Sequence, residues 1–171
     1  MSEAAAAVRA LKRLGAEKEL MYSLRRAGKI DVEGVGKEPY KTYKVTIYGK
    51  TYVKPRDEDG EPELFDGPHV FRVEARANYP LKEAPIVTFL TRAPAHINVF
   101  RGSGQVCIGR WNPADTLASV TAHTMRVLFL EPSTFNFNSV ADSGCKDFCC
   151  GYTGGAGDFP IPCPTFNDSH G

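Results

Sequence analysis

Val70-Phe71-Arg72-Val73-Glu74-Ala75-Arg76 alternates apolar with charged side chains along its whole length. Successive side chains of a strand point to opposite faces, so Phe71, Val73 and Ala75 share one face and Arg72, Glu74 and Arg76 the other. One dry and one wet face describes an antiparallel strand packed on a core from one side. Working outward, Tyr43-Lys44-Val45-Thr46-Ile47-Tyr48 alternates in β-branched and aromatic types, and Thr51-Tyr52-Val53 follows across Gly49-Lys50. Both read as strands. The charged, turn-rich Arg56-Asp57-Glu58-Asp59-Gly60-Glu61-Pro62 reads as a surface loop. Downstream, Pro80 and Pro85 bracket a connection to Ile86-Val87-Thr88-Phe89-Leu90, a short apolar run suited to a more buried strand.

Before the strands, the stretch from Glu3 to Lys29 lacks proline and is rich in helix formers. Val8, Leu11, Leu14, Met21 and Leu24 recur at threes and sevens, which predicts an amphipathic helix ended by Gly28. Arg9, Lys12 and Arg13 lie on its outward face, either as a solvated surface or as a docking face for an acidic partner. After the strands, residues 91–113 have no clear period and surround Cys107 with glycines and prolines; long loops of this kind are often functional. A second helix follows, capped by Asp115 or Thr116, with Leu117, Val120, Thr124 and Leu128 on one face, and Pro132 forces an exit by Glu131. It is apolar nearly all round and is expected to lie against the sheet. Past Pro132 the composition predicts mostly irregular chain.

These elements describe one α+β domain: N-terminal helix, four-stranded antiparallel meander, loop, crossover helix and irregular tail. Its core spans 1–141, and a Cys-, Gly- and Pro-rich extension of the same domain spans 142–171. The 171 residues fit a single domain. Twenty-one basic against twenty acidic residues, a formal charge of +1, argues against a dedicated nucleic-acid surface. No apolar stretch approaches the roughly 18 residues that span a bilayer, so no membrane partner is expected and the cytoplasm is the expected location.

Of the five cysteines, Cys107 stands alone, while Cys145, Cys149, Cys150 and Cys163 cluster near the end. Cys107 reads either as a small buried hydrophobe or as a nucleophile, since a thiol forms thioesters that keep their energy for a second transfer. A papain-like site needs a histidine base, and none of His69, His96, His123 or His170 sits in a motif that pairs with cysteine. His96 and Asn98 share the loop of Cys107. The uncharged amide of Asn98 could stabilise an oxyanion or brace the loop. The terminal cysteines, with His170, are open to zinc binding, disulfides or free thiols, and no standard zinc spacing appears.

At these residues the chain resembles the ubiquitin-conjugating enzymes. The Ala10-Leu11-Lys12-Arg13 helix running through Glu19-Leu20 is similar to that family's first helix, and Phe65-Asp66-Gly67-Pro68-His69-Val70-Phe71-Arg72-Val73 to its glycine-led third strand. Tyr79-Pro80-Leu81-Lys82-Glu83-Ala84-Pro85 resembles its Tyr-Pro-aromatic-Lys-Pro-Pro turn, and His96-Ile97-Asn98 its His-Pro-Asn motif. Cys107 falls at its thioester cysteine, and Trp111-Asn112-Pro113-Ala114 resembles its Trp-Ser-Pro-Ala segment.

The resemblance implies that an activating enzyme passes ubiquitin or a ubiquitin-like protein to Cys107 as a thioester, and that a lysine amine, selected with a RING-type ligase, then takes it. Asn98 would stabilise the oxyanion or order the loop, and His96 would brace it. Leu81, Asn112, Pro113 and Ala114 would receive the ligase, and Arg9, Lys12 and Arg13 the activating enzyme. No metal or organic cofactor is implied, since ATP is spent upstream. The chain departs from the family in Ile97, which replaces the motif's proline, in an Asn98–Cys107 stretch one residue longer, and in a short Cys107–Trp111 segment. Glu131 or Asp142 could stand for the acidic residue near the attacking lysine. Internal Gly154-Gly155 argues against the chain being the modifier. The rivals are a catalytically inactive relative that binds ubiquitin-like proteins, and a thiol hydrolase or redox protein.

Overall fold

The computed structural model describes residues 2–55 and 60–152. Helix α1 (Glu3–Ser23) starts under a Ser2 cap that accepts from Ala5 N at 3.2 Å. It tightens into a 3₁₀ turn (Leu24–Ala27) and stops at Gly28, whose φ of 72° favours a residue without Cβ. Six strands follow: β1 (Ile30–Val35), β2 (Thr42–Ile47), β3 (Lys50–Val53), β4 (Glu63–Asp66), β5 (His69–Glu74) and β6 (Ile86–Phe89). Helix α2 (Leu117–Leu128) and a short α3 (Lys146–Gly151) complete the order.

The main sheet is four-stranded and antiparallel, β1-β2-β5-β6. Its register places Val32, Val45, Phe71 and Phe89 in one row across all four strands. That row is buried in one cluster with Leu14, Met21 and Leu24 of the first helix and turn and Leu117, Val120 and Met125 of α2. The core therefore sits between one sheet face and two helices, while Lys44, Glu33 and Arg72 of the same strands face water.

The structure departs from three sequence expectations. The four strands of the meander begin with Ile30–Val35, not with the two runs 43–48 and 51–53 in succession. Thr51–Val53 lies in β3, which leaves the sheet and pairs with β4 in a separate hairpin, where Thr51 Oγ1 donates to Leu128 O at 2.7 Å. Second, Val8 and Leu11 are 53% and 49% exposed. Burial on α1 begins only at Leu14, and the ridge that packs inward is Leu14, Glu17, Met21, then Leu24. Third, the chain after Pro132 is partly regular, with 3₁₀ turns at Pro132–Thr134 and Ser143–Cys145 leading into α3. Its apolar residues have somewhere to go: Cys145 and Cys149 form a second core with Ala95 and Ile97, flanked by Tyr52, Phe135 and Phe148.

Helix α2 is capped by Thr116, not Asp115. Thr116 Oγ1 accepts from Ser119 N at 3.0 Å, and Ser119 Oγ accepts from Thr116 N at 2.9 Å, a reciprocal capping box. Among the described residues no helix is long and apolar enough to cross a membrane. Cys163, His170 and Gly154-Gly155 lie outside the described residues, as do Arg56-Asp57-Glu58-Asp59 of the surface loop.

Candidate active site

The loop from Asn98 to Cys107 folds back on itself. Val99 bridges Val106, Phe100 N donates to Gln105 O at 2.9 Å, and Gly104 N donates to Phe100 O at 2.9 Å. Gly104 makes the reversal possible: its φ is 73°, and a Cβ there would sit 2.8 Å from Phe89 O. The hairpin sets Cys107 opposite Asn98, with Cys107 N donating to Asn98 O at 2.8 Å. Cys107 is partly exposed, and its Sγ lies 3.7 Å from Ser139 Oγ.

Asn98 is 3% exposed and its amide is fully engaged. Nδ2 donates to Asn136 O at 3.0 Å and to Ser139 O at 2.8 Å, while Oδ1 accepts from Asn136 N at 2.9 Å. Two protons meet two carbonyls, so the side chain holds the 136–139 segment, and with it Ser139, against Cys107. His96 is fully buried: Nδ1 accepts from Asn98 N at 3.0 Å, and Nε2 meets Thr134 Oγ1 at 2.8 Å. The acceptor role of Nδ1 makes Nε2 the protonated nitrogen of a neutral ring.

Burial, reinforced by the charges of His123 and Lys54, pushes the pKa of His96 down to about 3. An unfolded imidazole titrates at about 6.5. Between these values the unfolded chain binds the extra proton, so the contribution of His96 is intact above about pH 6.5 and is lost as pH falls toward 3. The expected slope is about 1.4 kcal/mol per pH unit. Denaturant melts at stepped pH check this, with His96→Gln flattening the slope; a wild-type stability that stays level across the interval contradicts a buried neutral ring.

Ile97, at the position of the resembled motif's proline, is fully buried and plugs the second core. Its carbonyl accepts from both Ala141 N, 2.9 Å, and Asp142 N, 3.0 Å, and so fastens the tail to the loop. Asp142 in turn is buried and paired. Its Oδ2 lies 3.0 Å from Lys54 Nζ and 3.4 Å from Arg101 Nε, and accepts from Cys145 Sγ at 3.4 Å; its Oδ1 accepts from Gly144 N at 2.9 Å. Burial opposes its charge, yet the Lys54 hydrogen bond and the surrounding cations hold its carboxyl below the usual carboxylate range. Asp142 is therefore a structural ion, unlike the free acid weighed for a place beside the attacking amine. Glu131 accepts from Ser133 Oγ at 2.8 Å and pairs with Arg126 at 3.8 Å.

Burial pushes the thiol of Cys145 up to about 12 and that of Cys149 up to about 11. Cys149 donates to Ala95 O at 3.6 Å, so both behave as packed thiols, while Cys150 is exposed. Among the described residues no group of three or more His, Cys, Asp or Glu could hold a metal ion. His69 meets Gly49 O at 2.8 Å, far in sequence from the loop of Cys107, and His123 lies on α2.

The residues expected on the partner faces divide. Arg9, Lys12, Leu81, Asn112, Pro113 and Ala114 are exposed. Arg13 is not a free outward cation: Nη1 donates to Pro113 O at 2.9 Å, Nη2 to Asp115 O, and Nε lies 3.2 Å from Glu17 Oε1. Glu17, 1% exposed, also accepts from Tyr79 OH and from Leu117 N, the latter at 3.0 Å. Trp111 Nε1 donates to Pro80 O at 2.7 Å. One buried carboxylate thus ties α1, the turn at Tyr79 and the start of α2 into a single rigid shoulder. Its sequence signal is an acid at an apolar ridge position, between Leu14 and Met21. Ser139, in an irregular stretch, has no such signal.

No known family's sequence profile matches the chain, and no curated protein does. Among solved structures it is similar to human ubiquitin-conjugating enzyme E2 G1, at 20% identity and a TM-score of 0.46, over 66% of this chain and 91% of that one. At that identity and score the likeness says nothing about activity.

Proposed function

We propose that the chain carries ubiquitin or a ubiquitin-like protein as a thioester on Cys107 and passes it to a lysine amine. The observation that carries this reading is a partly exposed thiol at the end of a tight hairpin, braced by Asn98 and His96, with the Ser139 hydroxyl 3.7 Å from its sulfur. In loading, the Cys107 thiol attacks the modifier's terminal carbonyl on the activating enzyme; a new C–S bond forms, the carbonyl's bond to the activating enzyme's sulfur breaks, and the proton given up by Cys107 passes to the departing sulfur. In transfer, the lysine nitrogen attacks the same carbonyl, a C–N bond forms, Cys107 leaves as thiolate and the amine proton passes to solvent.

A hydrolase needs a base to activate thiol or water, and the neutral, buried His96 is spent on the loop. Asn98 acts as a positioning residue that keeps Ser139 beside the reacting sulfur, His96 fixes Asn98 through its backbone, and no metal or organic cofactor takes part. The exposed Leu81, Asn112, Pro113 and Ala114 receive a RING-type ligase on the shoulder built around Glu17, and Arg9 and Lys12 meet the activating enzyme, with Arg13 holding the two faces together. A second reading, a non-catalytic platform for ubiquitin-like proteins, is favoured by the committed amide of Asn98, which has no proton left for an oxyanion.

Single-turnover discharge separates the readings. Protein loaded by its activating enzyme and ATP is chased with free lysine: faster loss of adduct with lysine than with buffer alone is the expected result. Loss at the same rate in buffer marks a hydrolase, and absence of any adduct marks the platform.

A further inference from the structure

We propose that the Ser139 hydroxyl is the hydrogen-bond donor that receives the oxyanion when the thioester on Cys107 is attacked, a role that rests on Cys107 carrying the modifier. Attack on a thioester carbonyl drives an electron pair onto its oxygen, and a donor already held where that charge develops lowers the barrier directly. The other polar groups around Cys107 are engaged. Both protons of Asn98 Nδ2 go to the carbonyls of Asn136 and Ser139, Cys107 N donates to Asn98 O, and His96 Nε2 meets Thr134 Oγ1. Ser139 Oγ instead meets the reacting sulfur itself, at 3.7 Å.

In the free protein either atom of that contact can donate. Once Cys107 is acylated its sulfur has no proton, so the hydroxyl becomes the donor, and the carbonyl oxygen is a better acceptor than a sulfur bonded to two carbons. That oxygen stands only two bonds from Sγ, and rotation about the Cβ–Sγ bond brings it within about 3 Å of Ser139 Oγ, an ordinary hydrogen bond. The hydroxyl is held there through its backbone: Ser139 O accepts from Asn98 Nδ2 at 2.8 Å, and Ser139 N donates to Asn136 O at 3.3 Å. In transfer the lysine nitrogen bonds to the carbonyl carbon, the π pair moves to oxygen, and Ser139 donates a hydrogen bond to it while keeping its proton. Collapse restores C=O, breaks C–S and releases Cys107 as thiolate, and the amine proton passes to solvent. Asn98 then acts at one remove, by placing the donor.

Ser139 is exposed, so Ser139→Ala removes the hydroxyl and leaves these backbone bonds in place. Full-length protein, loaded by the activating enzyme and ATP, is chased with graded free lysine as wild type, Ser139→Ala, Ser139→Thr, Asn98→Ala and the Asn98→Ala/Ser139→Ala double variant. The maximal discharge rate of Ser139→Ala is expected to fall about 10- to 100-fold, below the roughly 10²–10³ of a water-excluded donor because this hydroxyl is exposed. The lysine concentration giving half that rate should change little, the mark of an interaction made only in the transition state. Ser139→Thr, which keeps a hydroxyl, should recover most of the rate. The double variant should be no slower than the slower single variant, since Asn98 acts through Ser139. Three results overturn the proposal while leaving Cys107 a carrier: discharge of Ser139→Ala within about twofold of wild type, a Ser139→Thr as slow as Ser139→Ala, or single effects that multiply in the double variant. Absence of any wild-type adduct overturns the proposal and the carrier chemistry together.

Discussion

Asp142→Asn is expected to destabilise the protein by about 3–5 kcal/mol, the usual cost of removing one member of a buried ion pair. The loss leaves the Lys54 ammonium, 6% exposed, facing Val99 O and a neutral amide. Burial already draws the pKa of Lys54 below its ordinary value against the pull of Asp142, and the variant should draw it lower still. The same carboxylate accepts from Gly144 N and Cys145 Sγ, so the turn that delivers Cys145 and Cys149 to the second core loosens with it. Denaturant melts of Asp142→Asn, Lys54→Met and the double variant form the test. The double variant should recover much of the loss, since an apolar replacement removes the stranded charge. A cost under about 1 kcal/mol for Asp142→Asn would show that the pair is effectively solvated.

Alternating and helical periods made most of the fold readable, because they report burial directly. Phe71, Val73, Tyr43, Val45 and Ile47 are buried as their alternation predicts, and Leu117, Val120, Thr124 and Leu128 as their helical spacing predicts. Where the pattern was broken, reading failed. Ile30-Asp31-Val32-Glu33 alternates, but Gly34 and Gly36 disguise the strand as a turn; Gly34 is required because a Cβ would strike the Tyr40 ring. Val8 and Leu11 fit the helical period, but which turns of a helix find a partner is decided by tertiary packing.

Asn98→Ala should slow transfer to lysine by about 10- to 100-fold, the scale set by misplacing a reacting group by roughly 1 Å, while loading changes little. Three hydrogen bonds to Asn136 and Ser139 vanish, and the segment that sets Ser139 Oγ 3.7 Å from Cys107 Sγ is released. Attack by a small, exposed amine depends on that arrangement, whereas loading is guided by the activating enzyme. Asn98→Asp retains an acceptor for Asn136 N but turns a charged oxygen toward two carbonyls, so it should not rescue transfer. Rates of loading and of discharge to free lysine, measured separately, check the split. Equal loss in both steps would make Asn98 a purely structural residue, and no loss in either would remove it from the account.

Of the candidate site, Cys107, His96 and Asn98 could be singled out in the sequence because they share one loop and carry the family resemblance. Their partners were not. Ser139, Thr134 and Asn136 lie about 40 positions downstream in a stretch without periodicity, and only the closed hairpin and the second core bring them back. The pairing of Lys54 with Asp142 is invisible for the same reason, since the two lie far apart in the sequence and meet only where the tail packs back on the sheet end.

Intact-mass analysis after incubation with the activating enzyme, the modifier and ATP, quenched without reductant, addresses the carrier chemistry itself. The predicted spectrum shows one added modifier less one water, removed by a thiol reductant, resistant to reductant in Cys107→Ser and missing in Cys107→Ala. An unshifted wild-type mass beside a fully charged activating enzyme, or an adduct that persists in Cys107→Ala, would contradict it.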